Sequence, residues 1–144
     1  FEWGKKGDKE SEFNIPHGIC LDNKENVYVA DRENNRIQVF DPTGKFINQY
    51  TDNTFGAICA VAFDKTQYRL FAVDDFTFLK VKHRGSDVII FDSIQRAQTR
   101  FGRSGLYQGN TSWYHDLTVD KDDNIYVGDI LGNTVQKFRK VSNH

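Results

Sequence analysis

Apolar and polar residues alternate along this chain in short runs, and the runs keep a repeating order. His17 to Leu21 is an apolar run, and the polar stretch Asp22, Asn23, Lys24, Glu25, Asn26 follows it. Residues of that kind let a chain reverse between two strands. Val27 to Asp31, rich in Val and Tyr, predicts the next strand, and Arg32, Glu33, Asn34, Asn35 a second turn. From Arg36 to Phe40 the apolar Ile37 and Val39 alternate with Arg36 and Gln38, a period of two that predicts a strand with one buried face. Asp41, Pro42, Thr43, Gly44 is a strong turn signal, because proline presets φ at the second turn position and glycine accepts positive φ. Phe46 to Tyr50 completes a set of four strands. No window carries helical spacing over more than two turns, so the chain is predicted to be all-β.

The set recurs. Asn14 to Phe40 and Ser112 to Phe138 align without a gap, 98 residues apart. His17 falls on His115, Asp22 on Asp120, Asn26 on Asn124, Tyr28 on Tyr126, Asp31 on Asp129, Asn35 on Asn133, Gln38 on Gln136 and Phe40 on Phe138. A fainter copy lies between them, with Asp64 in the place of Asp22 and the run from Leu70 to Asp74 in the place of Val27 to Asp31. The steps from Asp22 to Asp64 and from Asp64 to Asp120 are 42 and 56 residues, so the second holds an insertion, placed between Asp75 and Asp87. At the histidine position this middle copy has Cys59.

Four antiparallel strands in a unit of about 42 residues describe a propeller blade. The expected division is residues 1–4 as the end of a preceding blade, then blades over 13–50, 55–103 with its insertion, and 111–140. A propeller closes with roughly four to eight blades, so three describe a partial, open one that further N-terminal blades or another chain would complete. In such a fold, equivalent positions become symmetry-related points. His17 and His115 are therefore expected to face one axis.

Composition narrows the function classes. The chain is 38% hydrophobic and 27% charged with a net charge of −1, and its charges are interspersed. A nucleic-acid partner would normally show as a clustered basic face; the nearest approach, Lys80, Lys82, His83, Arg84, reads as a solvated loop. No run approaches the ~18 apolar residues of a membrane span. Cys20 and Cys59 fall in innermost strands and read as buried reduced thiols, with a bridge between adjacent blades as the alternative. Asp22, Asp31, Asp120 and Asp129 recur and read as scaffold carboxylates that satisfy backbone donors. Asn110, Thr111, Ser112 fits an N-glycosylation acceptor, at Asn110.

The phrase Ile15, Pro16, His17, Gly18, Ile19, with Val27 to Asp31 and Asn35 to Phe40, resembles the NHL repeat. More narrowly, Phe13 to Phe40, with Phe55-Gly56, His115-Asp116 and Tyr126 to Asp129, resembles the peptidyl-α-hydroxyglycine α-amidating lyases, the lyase half of the peptide-amidating enzymes. The resemblance covers most of the chain. It implies a six-bladed propeller of which this chain is the C-terminal half, with zinc held by three histidines, two of them matched by His17 and His115. It implies a structural calcium whose carboxylate ligand is matched by Asp116. Zinc and calcium favour these donor types. The substrate it implies is a peptide ending in α-hydroxyglycine, cleaved to a peptide amide and glyoxylate in the secretory pathway or outside the cell. The family's catalytic residues belong to earlier blades and stay unassigned. His83-Arg84-Gly85 resembles its catalytic phrase in letters but lies in the insertion and is set aside. Two departures stand out: Trp113 and Tyr114 replace the family's Met-Pro, and Tyr28 and Val39 occupy the positions of a disulfide found in vertebrate members. The rival readings are a non-catalytic NHL binding module for protein or RNA, and an inactive truncated lyase copy.

Overall fold

A computed structural model describes residues 1–64, 68–76, 85–92, 97–102 and 112–141. Short β1 (Lys5–Lys6) and β2 (Glu12–Phe13) pair in parallel, and three antiparallel sheets follow in chain order. The first contains β3 (Pro16–Leu21), β4 (Val27–Asp31), β5 (Arg36–Phe40) and β6 (Phe46–Thr51), the second β7 (Ala57–Asp64), β8 (Arg69–Asp75), β9 (Ser86–Phe91) and β10 (Ala97–Gly102). The third contains β11 (Tyr114–Val119), β12 (Ile125–Asp129) and β13 (Thr134–Phe138). Each sheet is an up-and-down meander, the form of a propeller blade. The fold is all-β, as the alternation predicted. Lys80, Lys82, His83, Arg84 and Asn110 lie outside the described residues, so the basic loop and the glycosylation acceptor have no structural counterpart here.

The turns form for the reasons that the polar runs implied. Asp22 Oδ1 accepts the backbone N–H groups of Lys24 and Asn26 at 2.8 and 2.9 Å, and its Oδ2 accepts from Asn26 Nδ2 and the Tyr28 hydroxyl. Asp120 repeats the arrangement with Asp122, Asn124 and Tyr126. These donors hold the Asp22 carboxyl below the usual range against the opposing effect of its burial, and Asn124 foremost draws Asp120 down to about 2. A second ring of carboxylates lies under the opposite loops. Asp31 accepts from Asn14 N, Asn34 Nδ2, Arg36 Nε and Gln38 Nε2. Asp74 accepts from Gly56 N, and Asp129 from Trp113 N, Leu131 N, Gly132 N and Gln136 Nε2. In all three blades this buried carboxylate ties down the segment that leads into the innermost strand.

The core consists of two layers between blades. Tyr28, Ala30, Ile37, Val39 and Tyr50 pack on Ile58, Val61, Leu70, Ala72, Ile89 and Phe91 between the first and second sheets. Cys59, Phe71, Val73 and Val88 pack on Tyr114, Leu117, Ile125 and Val127 between the second and third. Cys20 packs on the first layer and Cys59 within the second, and both thiols are free, so the reduced reading holds over the bridge. Tyr28 and Val39 are direct cross-strand partners, and as a β-branched and an aromatic residue they hold the pair by packing.

One expectation fails. Strand β5 is buried on both faces, Arg36 and Gln38 included. The reason lies in residues 3–13, which run across that face: Arg36 donates to the Lys9 and Glu12 carbonyls, Gln38 Nε2 donates to Glu12 O, and Trp3 and Phe13 rest on Phe40. Residues 1–4 belong to none of these sheets, and Trp3 sits against Gly44.

Candidate functional site

The three innermost strands stand side by side, with β7 between β3 and β11, and each is interrupted at the same point. The ladder slips between Pro16 and Ile19 in β3, between Ile58 and Ala60 in β7, and between Tyr114 and Asp116 in β11. The unpaired residues are His17 with Gly18, Cys59, and His115, and the repeat equates His17, Cys59 and His115. A bulge of this kind bends its strand and re-aims one side chain. Nothing in the alternation of apolar and polar residues announces it.

Here the two bulged histidines meet. Their ring centroids are 4.8 Å apart and their planes are inclined by 75°. A tetrahedral ion with Zn–N bonds of ~2.0–2.1 Å holds two imidazole centroids roughly 5 Å apart. The pair therefore has the separation that one shared ion demands. The residue beneath them permits it: Cys59, small and wholly buried, occupies the equivalent place on the intervening strand.

Hydrogen bonding fixes the useful nitrogen of His17. Its Nδ1–H donates to the Cys59 carbonyl at 2.6 Å, which leaves Nε2 as the lone-pair nitrogen. Metal-bound histidines are oriented by just such a carbonyl partner. Gly18 makes the approach possible. A Cβ built there would lie 2.7 Å from Ala60 Cα and 3.0 Å from Cys59 O, so any side chain would push the two innermost strands apart. His17 is exposed and His115 half-buried, and both can be reached from the well.

Around the pair stand groups of distinct character. Trp113 packs its ring 6.5 Å from His115. Burial pushes the Cys59 thiol up, with the nearby Arg32 guanidinium pulling the other way, and the thiol donates to Ala57 O at 3.6 Å. Arg32 follows β4 in the 3₁₀ turn Arg32–Asn34, closed by Asn35 at φ 50°, and sequence reading had treated that stretch as a plain turn. Ile15, two residues before His17, is exposed at φ 56°, a conformation that a β-branched side chain rarely takes. Asp116 is exposed, and its Oδ1 accepts the N–H of Leu117 at 2.8 Å. Its other oxygen remains available for a cation. Among the described residues, no third His, Cys, Asp or Glu joins the two histidines. The two imidazoles match zinc donors in kind and spacing, and for His17 the bond to Cys59 O also sets the tautomer.

Comparison with known proteins agrees with this architecture. The NHL repeat pattern matches residues 13–40. The chain is 46% identical over 50 residues to NHL repeat-containing protein 3 of Homo sapiens, covering 34% of this chain and 14% of that protein. It is 49% identical over 47 residues to protein lin-41 of Caenorhabditis elegans, covering 33% of this chain and 4% of that one. A longer match runs to peptidyl-glycine alpha-amidating monooxygenase B of Xenopus laevis: 28% identity over 150 residues, covering 95% of this chain and 16% of that protein. The chain thus spans less than a fifth of each of these relatives. Among solved structures, a catalytically inactive virginiamycin B lyase from Staphylococcus aureus, crystallised with quinupristin, aligns with a TM-score of 0.58 at 10% identity, over 89% of this chain and 42% of that one. At that identity the likeness concerns the fold, which is that of a β-propeller.

Proposed function

We propose that this chain is part of a zinc-dependent lyase that cleaves peptides ending in α-hydroxyglycine to a C-terminal peptide amide and glyoxylate. The observation that carries the reading is the meeting of His17 and His115 at 4.8 Å across an intervening blade. The match over 95% of this chain to 16% of an amidating monooxygenase supports it. So does the Nδ1 bond to Cys59 O, which leaves His17 Nε2 in the form that binds a metal.

Bound zinc would supply Lewis acidity, lowering the pKa of a coordinated hydroxyl and stabilising developing negative charge on oxygen. The chain's own residues prepare the place. His17 and His115, with rings 4.8 Å apart, would hold the metal and move no proton. The Cys59 carbonyl locks the ring of His17. Trp113 flanks His115, ring centroids 6.5 Å apart, and would offer the substrate an aromatic surface. The remaining ligand and the proton-transfer groups are assigned to blades outside this chain. Asp116 is the proposed carboxylate of a structural calcium site, and the reading places the protein in the secretory pathway.

Metal analysis of the intact protein tests this directly. Zinc should be retained through purification, and His115→Ala should abolish both zinc retention and glyoxylate release from an α-hydroxyglycine peptide. Activity surviving that change refutes the assignment. The second reading, a non-catalytic NHL module that binds protein or RNA, draws on the 46–49% matches to NHL repeat proteins over the first blade. It predicts that His115→Ala leaves partner binding unchanged and that no zinc co-purifies.

A further inference from the structure

The His17–His115 pair spans three blades, so its spacing depends on how firmly both outer blades are fixed to the middle one. On one side the link is the His17 Nδ1 bond to Cys59 O. On the other, the backbone N–H of Tyr114, the residue immediately before His115, leaves its own sheet and donates to the Ser86 hydroxyl at 2.9 Å. Ser86 in turn donates to Asp75 Oδ1 at 3.3 Å. Ser86 and Asp75 are also cross-strand partners in β9 and β8, and Asp75, Ser86 and Tyr114 have no exposed surface.

We infer that Ser86, backed by Asp75, is a positioning residue: it clamps the start of β11 to the middle blade and thereby sets the place of His115 relative to His17. The inference rests on the zinc-lyase reading for its consequence, but the clamp itself is independent of metal. The chemistry favours this role. A hydroxyl both donates and accepts, and Ser86 uses both capacities at once, so the acidic Asp75 orients its proton and leaves a lone pair aimed at Tyr114 N. The contact falls one residue from the bulge at His115. A small displacement there moves the imidazole directly, because the bulged residue has no ladder bond to restrain it. A polar contact between these blades, Arg69 with Asp123 at 2.8 Å, lies at the opposite end of the strands. Apolar packing of Tyr114 and Leu117 holds the blades together, but it does not fix the register of one backbone N–H.

The test compares the intact protein with Ser86→Ala and Ser86→Thr, using cobalt(II) in place of zinc so that ligand geometry is visible in the absorption spectrum. Outer partners of metal ligands commonly tune affinity by about 10–100-fold. Ser86→Ala should weaken cobalt binding by that factor, alter the spectrum of the fraction that binds, and speed hydrogen exchange at the Tyr114 amide. Ser86→Thr, which keeps the hydroxyl, should restore all three. A merely structural role would lower the melting temperature without changing the spectrum of the folded protein. Unchanged affinity and spectrum in Ser86→Ala overturn the inference. Should that variant not fold, Asp75→Asn, which keeps its volume and loses its charge, takes its place with a smaller loss in the same direction, and no loss overturns the inference. If the unsubstituted protein binds no cobalt or zinc, the lyase reading falls and ring proximity alone decides the clamp. A nuclear Overhauser contact between His17 and His115 that disappears in Ser86→Ala upholds it, and one that persists overturns it.

Discussion

Adding one methyl group at Gly18 should disrupt both the fold and the metal pair. In Gly18→Ala the new Cβ meets only backbone: Ala60 Cα at 2.7 Å, Cys59 O at 3.0 Å and Val61 N at 3.1 Å. No flexible side chain can swing away, so β3 and β7 must separate. Overpacking of this kind costs typically about 1–3 kcal/mol. Separation also stretches the 2.6 Å bond from His17 to Cys59 O, and a hydrogen bond of that type contributes about 0.5–1.5 kcal/mol. The sum is about 2–4 kcal/mol. For a domain near this size, about 2–4 °C of melting temperature goes with each kcal/mol, so thermal unfolding followed by circular dichroism should show a loss of roughly 5–15 °C. Zinc affinity should fall with it, because the ring of His17 loses its orientation. Gly128→Ala is the internal control. A Cβ there meets nothing within 4 Å, and strand glycine is itself slightly unfavourable, so this change should leave the protein as stable or stabilise it by up to about 1 kcal/mol. If Gly18→Ala melts within about 2 °C of the parent and keeps its zinc, the close approach of blades is not what aligns His17.

Three further outcomes follow from buried carboxylates and from the histidines themselves. Asp74 has no exposed surface, and burial pushes its carboxyl up to about 6 against the pull of Arg100 and Gly56 N. A carboxyl raised from near 4 to about 6 binds its proton more tightly when folded, which amounts to about 3 kcal/mol. That stability is fully present below about pH 4 and is lost as pH rises through about 6. Melting temperatures measured from pH 4.5 to 7 should therefore fall through this group, and Asp74→Asn should flatten the profile; an equal slope in the variant would refute the attribution. Asp31→Ala should destabilise by about 3–5 kcal/mol in urea unfolding, since it leaves the buried Arg36 guanidinium without its 2.7 Å partner, and a loss below 1 kcal/mol would mean that Arg36 finds equivalent acceptors. His17→Ala should remove zinc as completely as His115→Ala, and the paired variant should lose no more than either alone, because the two act on one ion.

Much of the fold could be read from alternation and turn residues. The runs His17 to Leu21, Val27 to Asp31, Arg36 to Phe40 and Phe46 to Tyr50 are strands within a residue of their expected bounds. The recurring Asp22 and Asp120 make matching turn bonds because Asn and Tyr stand four and six residues further on in both, while the residue two further on donates through its backbone N–H. The two histidines were legible for a different reason: repetition turned a separation of 98 residues into a spatial relation. What escaped were contacts between blades, which no local pattern encodes. The bulges at His17, Cys59 and His115, the carbonyl of Cys59 and the clamp from Ser86 to Tyr114 arise only when sheets far apart in sequence pack together. Arg36 and Gln38 were expected on a solvent face for the same reason. Their cover, residues 3–13, is a stretch with no strand pattern of its own.

The central claim is that propeller geometry brings two remote imidazoles onto one ion. Zinc K-edge X-ray absorption on the intact, zinc-loaded protein addresses it most directly. The spectrum should show at least two imidazole nitrogens at about 2.0–2.1 Å, and that nitrogen shell should be lost in His115→Ala, which no longer retains the ion. An inner shell of oxygen donors alone, unchanged when His17 or His115 is replaced, would contradict the claim.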